Sequence, residues 1–178
     1  MALLRHTTRL ALRTPRRQLA AVPQTVSDDD FKTIKDELTA FMHERIYPNE
    51  QLFLKQSHAS RGKDGREWTH PQLIVDLMQE AKERGLWNLF LPADSAKLAP
   101  SGSHLGRGLT NLQYADLCEL MGTSVHFEFA ATACNCASPD TGNMGTIARF
   151  GNEAQKERWL APLLDGSIRS CFAMTEPD

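Results

Sequence analysis

The chain has 178 residues, 41% hydrophobic and 24% charged, with a formal net charge of −2: enough for one globular domain, or one domain and part of a second. The charge is unevenly placed, because residues 1–27 hold Arg5, Arg9, Arg13, Arg16 and Arg17 with neither acid nor lysine, a net +5, and the rest carries −7. A mildly acidic body excludes nucleic acid as the expected partner, and no apolar run is long enough for a membrane span.

At the N-terminus, Arg5, Arg9 and Arg13 recur every four residues, so a helix would place them on one face with Leu3, Leu4, Leu10 and Ala11 mostly on the other. Arginine-rich, acid-free amphipathic character describes a mitochondrial transit peptide. A disordered basic arm and upstream sequence read as protein are the alternatives. Residues 1–26 are assigned as this transit-like segment, with Pro15 and Pro23 ending any helix. The matrix is the expected location, the peroxisome the alternative.

From Val26 the pattern is helical. Ser27 is placed to cap, with Asp30 three positions on, and Phe31, Ile34, Leu38, Phe41 and Met42 form an apolar stripe up to Pro48. Residues 55–67, polar and punctuated by glycine, read as a solvated loop. A second helix starts at Thr69-His70-Pro71, carries Leu73, Ile74, Leu77, Met78 and Ala81, and stops at Gly85. The short apolar segment Leu86–Pro92 leads into a loop from Ala93 to Gly108. Thr110 and Gln113 have capping-box spacing, and Leu109 is placed to staple against Tyr114. That helix runs through Leu117 and Leu120 to Gly122.

Val125 to Ala137 is apolar on most sides and reads as a helix at the centre of the bundle. Met144, Ile147 and Phe150 mark a further helix ending at Gly151, and Glu153–Leu160 another, closed by Pro162. Asp165-Gly166 signals a turn, after which the pattern becomes extended through Cys171-Phe172-Ala173-Met174. The fold class read from these elements is mainly α: about six helices in one domain, residues 27–166, followed by the first strand of another unit, residues 167–178. Cys118, Cys134, Cys136 and Cys171 have neither disulfide nor zinc spacing and read as buried free thiols. His70, His104 and His126 lack metal-ligand spacing and read as surface or packing residues. Trp159 reads as core.

One block joins chemistry to this layout. Gly145-Thr146-Ile147-Ala148-Arg149-Phe150-Gly151-Asn152-Glu153-Ala154-Gln155-Lys156 leads into Arg158-Trp159-Leu160-Ala161-Pro162-Leu163-Leu164-Asp165-Gly166, and then Cys171-Phe172-Ala173-Met174-Thr175-Glu176-Pro177. Together they resemble the acyl-CoA dehydrogenases over residues 27–178. Pro139-Asp140-Thr141-Gly142-Asn143-Met144, with Ser170-Cys171 before the phenylalanine, is most similar to the branch called acyl-CoA dehydrogenase family members 10 and 11.

The resemblance implies an N-terminal helical bundle, a middle β domain begun at residues 167–178, and a C-terminal four-helix bundle, with FAD at their junction. It places Phe172, Ala173, Met174, Thr175 and Glu176 on the flavin, through backbone amides and the Thr175 hydroxyl. Fixed dipoles of that kind stabilise charge on a reduced ring. Taken alone, Thr175 is an ordinary strand residue and Glu176-Pro177 an ordinary turn. The resemblance also puts Ser138, Thr141 and Gly142 at the acyl pocket; a plain helix cap by Ser138 or Asp140 is the alternative.

The implied reaction is α,β-dehydrogenation of an acyl-CoA thioester in fatty-acid β-oxidation, with a carboxylate as base, hydride passing to FAD, and electrons leaving through an electron-transfer flavoprotein. A homo-oligomer is implied for the full-length enzyme. The base is expected beyond Asp178, so these residues contribute no catalytic group and are expected to be inactive alone. Two other readings stand beside this one: an acyl-CoA oxidase-like flavoenzyme, and a non-catalytic helical module that binds a partner.

Overall fold

The computed structural model describes residues 26–59, 70–126 and 128–174, so the transit-like reading of the N-terminus lies outside the described residues. Helix α1 (Asp28–Phe41) opens as its sequence dictates: the Ser27 hydroxyl oxygen accepts from the Asp30 amide and three aspartates fill the first turn, where the helix dipole favours negative charge. Ile34, Leu38 and Phe41 are its buried face. Pro48 does not end the element as expected. A π-helical turn (Met42–Ile46) and a 3-10 turn (Tyr47–Asn49) carry the chain into α2 (Glu50–Ala59). The proline sits at the start of the 3-10 turn, where its missing N–H has no intrahelical partner to lose. Residues 55–59, expected in a loop, are therefore helical, and 60–67 fall outside the described residues.

Helix α3 (Gln72–Glu83) buries Ile74, Leu77 and Ala81 and ends at Gly85, in the left-handed region. A short α4 (Ala93–Ala96) interrupts the expected loop. Helix α5 (Asn111–Met121) begins with the reciprocal Thr110–Gln113 capping box, and Leu109 and Tyr114 join the same apolar cluster. The central helix α6 is shorter than expected, Glu128–Ala133. Its Phe129, Ala130 and Ala133 are fully buried, and the burial continues through Cys134, Cys136 and Ala137, yet Val125 is 78% exposed, so the core part of the 125–137 stretch begins at Phe129. Phe129 stacks on Phe53 of α2, with ring centroids 4.3 Å apart.

Helix α7 (Asp140–Phe150) is followed by α8 (Glu153–Gln155), a second π-helical turn (Lys156–Leu160) and α9 (Ala161–Asp165). Pro162 lies inside the first turn of α9 rather than closing the preceding helix. The stop comes at Gly166, with φ at +78°. An added Cβ there would also lie 2.7 Å from the Trp87 ring, so glycine is required twice over. Two apolar clusters result. One gathers α1, α3, α5 and α6; the other gathers Leu91, Ala96, Met144, Ala148, Leu160, Leu163 and Leu164. Phe90 packs against both.

Among the described residues there is no β-strand, and Ser167–Met174 continues past α9 without a pairing partner. Two expectations of burial fail. Trp159 is 45% exposed, its ring covered by the Arg158 guanidinium 4.6 Å from the centroid. Of the four cysteines, all free, Cys134 and Cys136 are buried but Cys118 and Cys171 are exposed. Burial pushes the Cys136 thiol up to about 12 and raises Cys134 too. Since the thiolate is the reactive form, brief treatment of the native protein with iodoacetamide should label Cys118 and Cys171 and spare the other two. Peptide mass mapping reads the result, and equal labelling of all four would contradict this packing.

Candidate functional site

Two of the implied acyl-pocket residues, Thr141 and Gly142, lie on one side of α7, with the Phe172 ring near Gly142. Helical spacing puts Thr141, Gly142, Gly145, Thr146, Arg149 and Phe150 along a single face, and that face forms one wall of an open groove of ≈ 320 Å³. Phe90, Leu91, Pro92 and Ser95 form the opposite side, and Asn111 stands at one end. The wall is low because two of its positions are glycines. The Thr146 hydroxyl is turned back onto the Gly142 carbonyl at 2.9 Å, so it presents its methyl and an oxygen lone pair rather than a free proton. Phe150, the last residue of α7, is 83% exposed.

Ser138 is exposed and does not line this groove. Thr141 and Gly142 do. The ring of Phe172 comes down over Gly142: a Cβ added to that glycine would meet the ring at 3.8 Å. One implied flavin residue therefore stands over one implied pocket residue across a sequence separation of thirty. Ala173 and Met174 are exposed beside it. Thr175 and Glu176 lie outside the described residues. From Cys171 to Met174 no backbone amide makes a hydrogen bond among the described residues. An unpaired row of donors beside an exposed ring is a surface that a flat heteroaromatic with polar edges can use.

Sequence reading missed what holds this arrangement in place. The sequence offers Asp140 as part of the family motif Pro139–Met144 or as a plain helix cap. It is the first residue of α7, is only 5% exposed, and turns its carboxylate toward Arg169 and Ser170. It accepts from the Ser170 amide at 2.8 Å, the Ser170 hydroxyl at 2.6 Å and Arg169 Nη1 at 2.9 Å. Arg169 also donates to Asn135 Oδ1 at 3.1 Å, and the Asn135 amide donates to Asn88 Oδ1 at 2.7 Å. Asn88 in turn donates to the carbonyls of His104 and Leu164, and the Trp87 indole shares the Leu164 oxygen. Both asparagines are buried with positive φ, +55° and +53°, a conformation asparagine tolerates better than most residues. Only that tolerance could have flagged them from sequence.

A larger groove, ≈ 600 Å³, lies along α3 beside Asp165–Ser167. It touches none of the candidate residues, whereas Thr141 and Gly142 line the groove at α7, so size alone does not select the site. Among the described residues no group of three or more His, Cys, Asp or Glu could hold a metal ion, and no helix is long and apolar enough to cross a membrane. His70 and His104 are exposed and His126 packs against Phe53.

Comparisons with known proteins place this helical domain in a family. Residues 28–167 match the family model described as acyl-CoA dehydrogenase, N-terminal domain, and the chain belongs to that family. It is 47% identical over 147 residues to acyl-CoA dehydrogenase family member 10 of Mus musculus, covering 82% of this chain and 12% of that protein. It is 41% identical over 138 residues to family member 11 of Homo sapiens, covering 78% of this chain and 16% of the relative. A solved structure titled as a putative acyl-CoA dehydrogenase from Mycobacterium abscessus superposes with a TM-score of 0.68 at 39% identity, covering 85% of this chain and 35% of that one. The chain thus spans a minor part of the length of these relatives.

Proposed function

We propose that this chain forms the helical domain of an FAD-dependent enzyme that removes two hydrogens across the α,β bond of an acyl-CoA thioester. The observation carrying the reading is that the Phe172 ring stands over Gly142, within 3.8 Å of where a Cβ would lie, which puts a free row of backbone donors near an open groove of mixed polar and apolar lining. The residues fit the cofactor: the unpaired amides of Cys171–Met174 are donors for the polar edge of the ring system, and Phe172 offers an aromatic surface. When bound, FAD supplies the hydride acceptor. The chain's own part is to hold, orient and exclude water. The amides and the Thr175 hydroxyl fix the ring, while Thr141, Gly142 and Gly145 leave room for an acyl chain between α7 and Leu91–Pro92. A carboxylate base is assigned to none of these 178 residues, and transfer of electrons onward to an electron-transfer flavoprotein belongs to the same proposal.

Titration of the purified chain with FAD, read by flavin fluorescence, should therefore give weak binding and no acyl-CoA oxidation. In a polypeptide that also carries the middle and C-terminal domains, Thr175→Val should weaken flavin binding by about 1.5–3 kcal/mol, the worth of one hydrogen bond to a charged group. Stoichiometric flavin and turnover in residues 26–178 alone would overturn this division of labour.

Residues 1–26 are proposed to direct the protein to the mitochondrial matrix. Their fusion to a fluorescent reporter should reach mitochondria, and changing Arg5, Arg9 and Arg13 to glutamate should abolish import. A cytosolic unmutated fusion would rule this out.

A further inference from the structure

We propose that Asp140 is a positioning residue whose carboxylate latches Arg169-Ser170 onto the start of α7, and so fixes where Phe172 and the free amides of Cys171–Met174 stand. The significance of that position rests on the cofactor reading above; the latch itself does not. A buried carboxylate is tolerated only when its lost hydration is replaced. Here the replacement comes from one short stretch of chain: the Ser170 amide, the Ser170 hydroxyl and Arg169 Nη1. Undocking that stretch would strip Asp140 of all three donors at once. The segment and the start of α7 are therefore held as a unit. A second bond to the same serine, from Asn143 Nδ2 to Ser170 Oγ at 2.8 Å, comes from the next turn of α7. The same Arg169 Nη1 that donates to Asp140 also donates to Asn135 Oδ1, just past the end of α6, at 3.1 Å. One nitrogen of the guanidinium thus joins the core polar chain to the carboxylate at the start of α7. Thr141 and Gly142 follow Asp140 directly in sequence, so the latch ties the groove wall and the segment that closes over it to one anchor.

The latch is tested on the 178-residue chain, with no cofactor present. Native trypsin cleavage after Arg169, exchange of the Ser170 amide, and the nuclear Overhauser contact between the Phe172 ring and Gly142 are measured together. Amides of α1 and α3 serve as an internal gauge of global stability. In Asp140→Ala, cleavage and Ser170 exchange should rise at least tenfold and the Phe172–Gly142 contact should vanish, while the α1 and α3 amides stay within twofold. Asp140→Asn, which keeps an acceptor for the Ser170 amide but not the charge facing Arg169, should fall between. Should Asp140→Ala fail to fold, Asn143→Ala, which leaves the carboxylate untouched, must still raise Ser170 exchange several-fold. Unchanged exchange and an intact Phe172–Gly142 contact in these variants would overturn the proposal. So would an equal rise in the α1 and α3 amides, which would make the residue a general stabiliser. None of these readouts involves flavin, so the latch and the cofactor reading can fail separately.

Discussion

Phe129→Asp should leave the protein unfolded at room temperature. The side chain is fully buried in α6 and stacked on Phe53, at the point where α6 meets α3 and α5. Removing a buried phenylalanine costs about 3–5 kcal/mol in lost transfer energy and cavity. An unpaired buried carboxylate adds several more, or must take up a proton to survive there. Against a total stability of about 5–15 kcal/mol for a domain of ordinary size, the sum consumes most of what is available. Far-ultraviolet circular dichroism on heating reads the outcome, with Phe150→Asp as the control. That residue is 83% exposed, and its replacement should melt like the parent. A cooperative melt of Phe129→Asp at the parental temperature would show that α6 is not the centre of the domain.

Asn88→Ala should be the most damaging polar-to-small change in the chain, at roughly 2–5 kcal/mol from several orphaned hydrogen-bonding groups and a strained backbone. The asparagine donates to the carbonyls of His104 and Leu164 at 2.7 and 2.8 Å and accepts from Asn135 at 2.7 Å. The surroundings are tight: a Cβ on Gly106 would lie 2.1 Å from the Asn88 carbonyl oxygen, so neither loop can shift to absorb the loss. Alanine also inherits φ at +55°. Asn88→Gly loses the same bonds but relieves the backbone, and should recover about 1 kcal/mol of the loss. Denaturant midpoints separate the two contributions. Equal midpoints for Ala and Gly would mean that the backbone is unstrained, and a parental midpoint for both would remove the polar chain from the account of stability.

Features written locally were the legible ones. Ser27 with Asp30, Thr110 with Gln113, and Gly85 after the α3 stripe each act within four residues of themselves, and each does in the structure what its spacing implies. Prolines were overread. Pro48 and Pro162 lack a donor only where a helical turn begins, a position that asks for none, so both helical runs pass straight through. Hydrophobicity was overread at Trp159, because an apolar residue declares that it can be covered without saying by what. The chain from Asn88 through Asn135 and Arg169 to Asp140 was invisible. Its links join residues 29 to 47 positions apart, and no one of them departs from ordinary loop composition. The motif around Asp140 was noticed for its likeness to a family, whereas the carboxylate's work depends on Ser170, thirty residues later.

The two π-helical turns, Met42–Ile46 and Lys156–Leu160, give this domain somewhere to change length. Losing one residue from an ordinary α-helix rotates everything downstream by about 100° and swings the apolar face out of the core. A π-turn already holds one residue more than its neighbours need. Deleting a solvent-facing member such as His43 or Glu157 returns the turn to α geometry and leaves Phe41 on one side and Leu163 on the other facing as before. Insertions and deletions are usually confined to loops; here two helical runs each contain a joint where the chain can be re-spaced by a single residue.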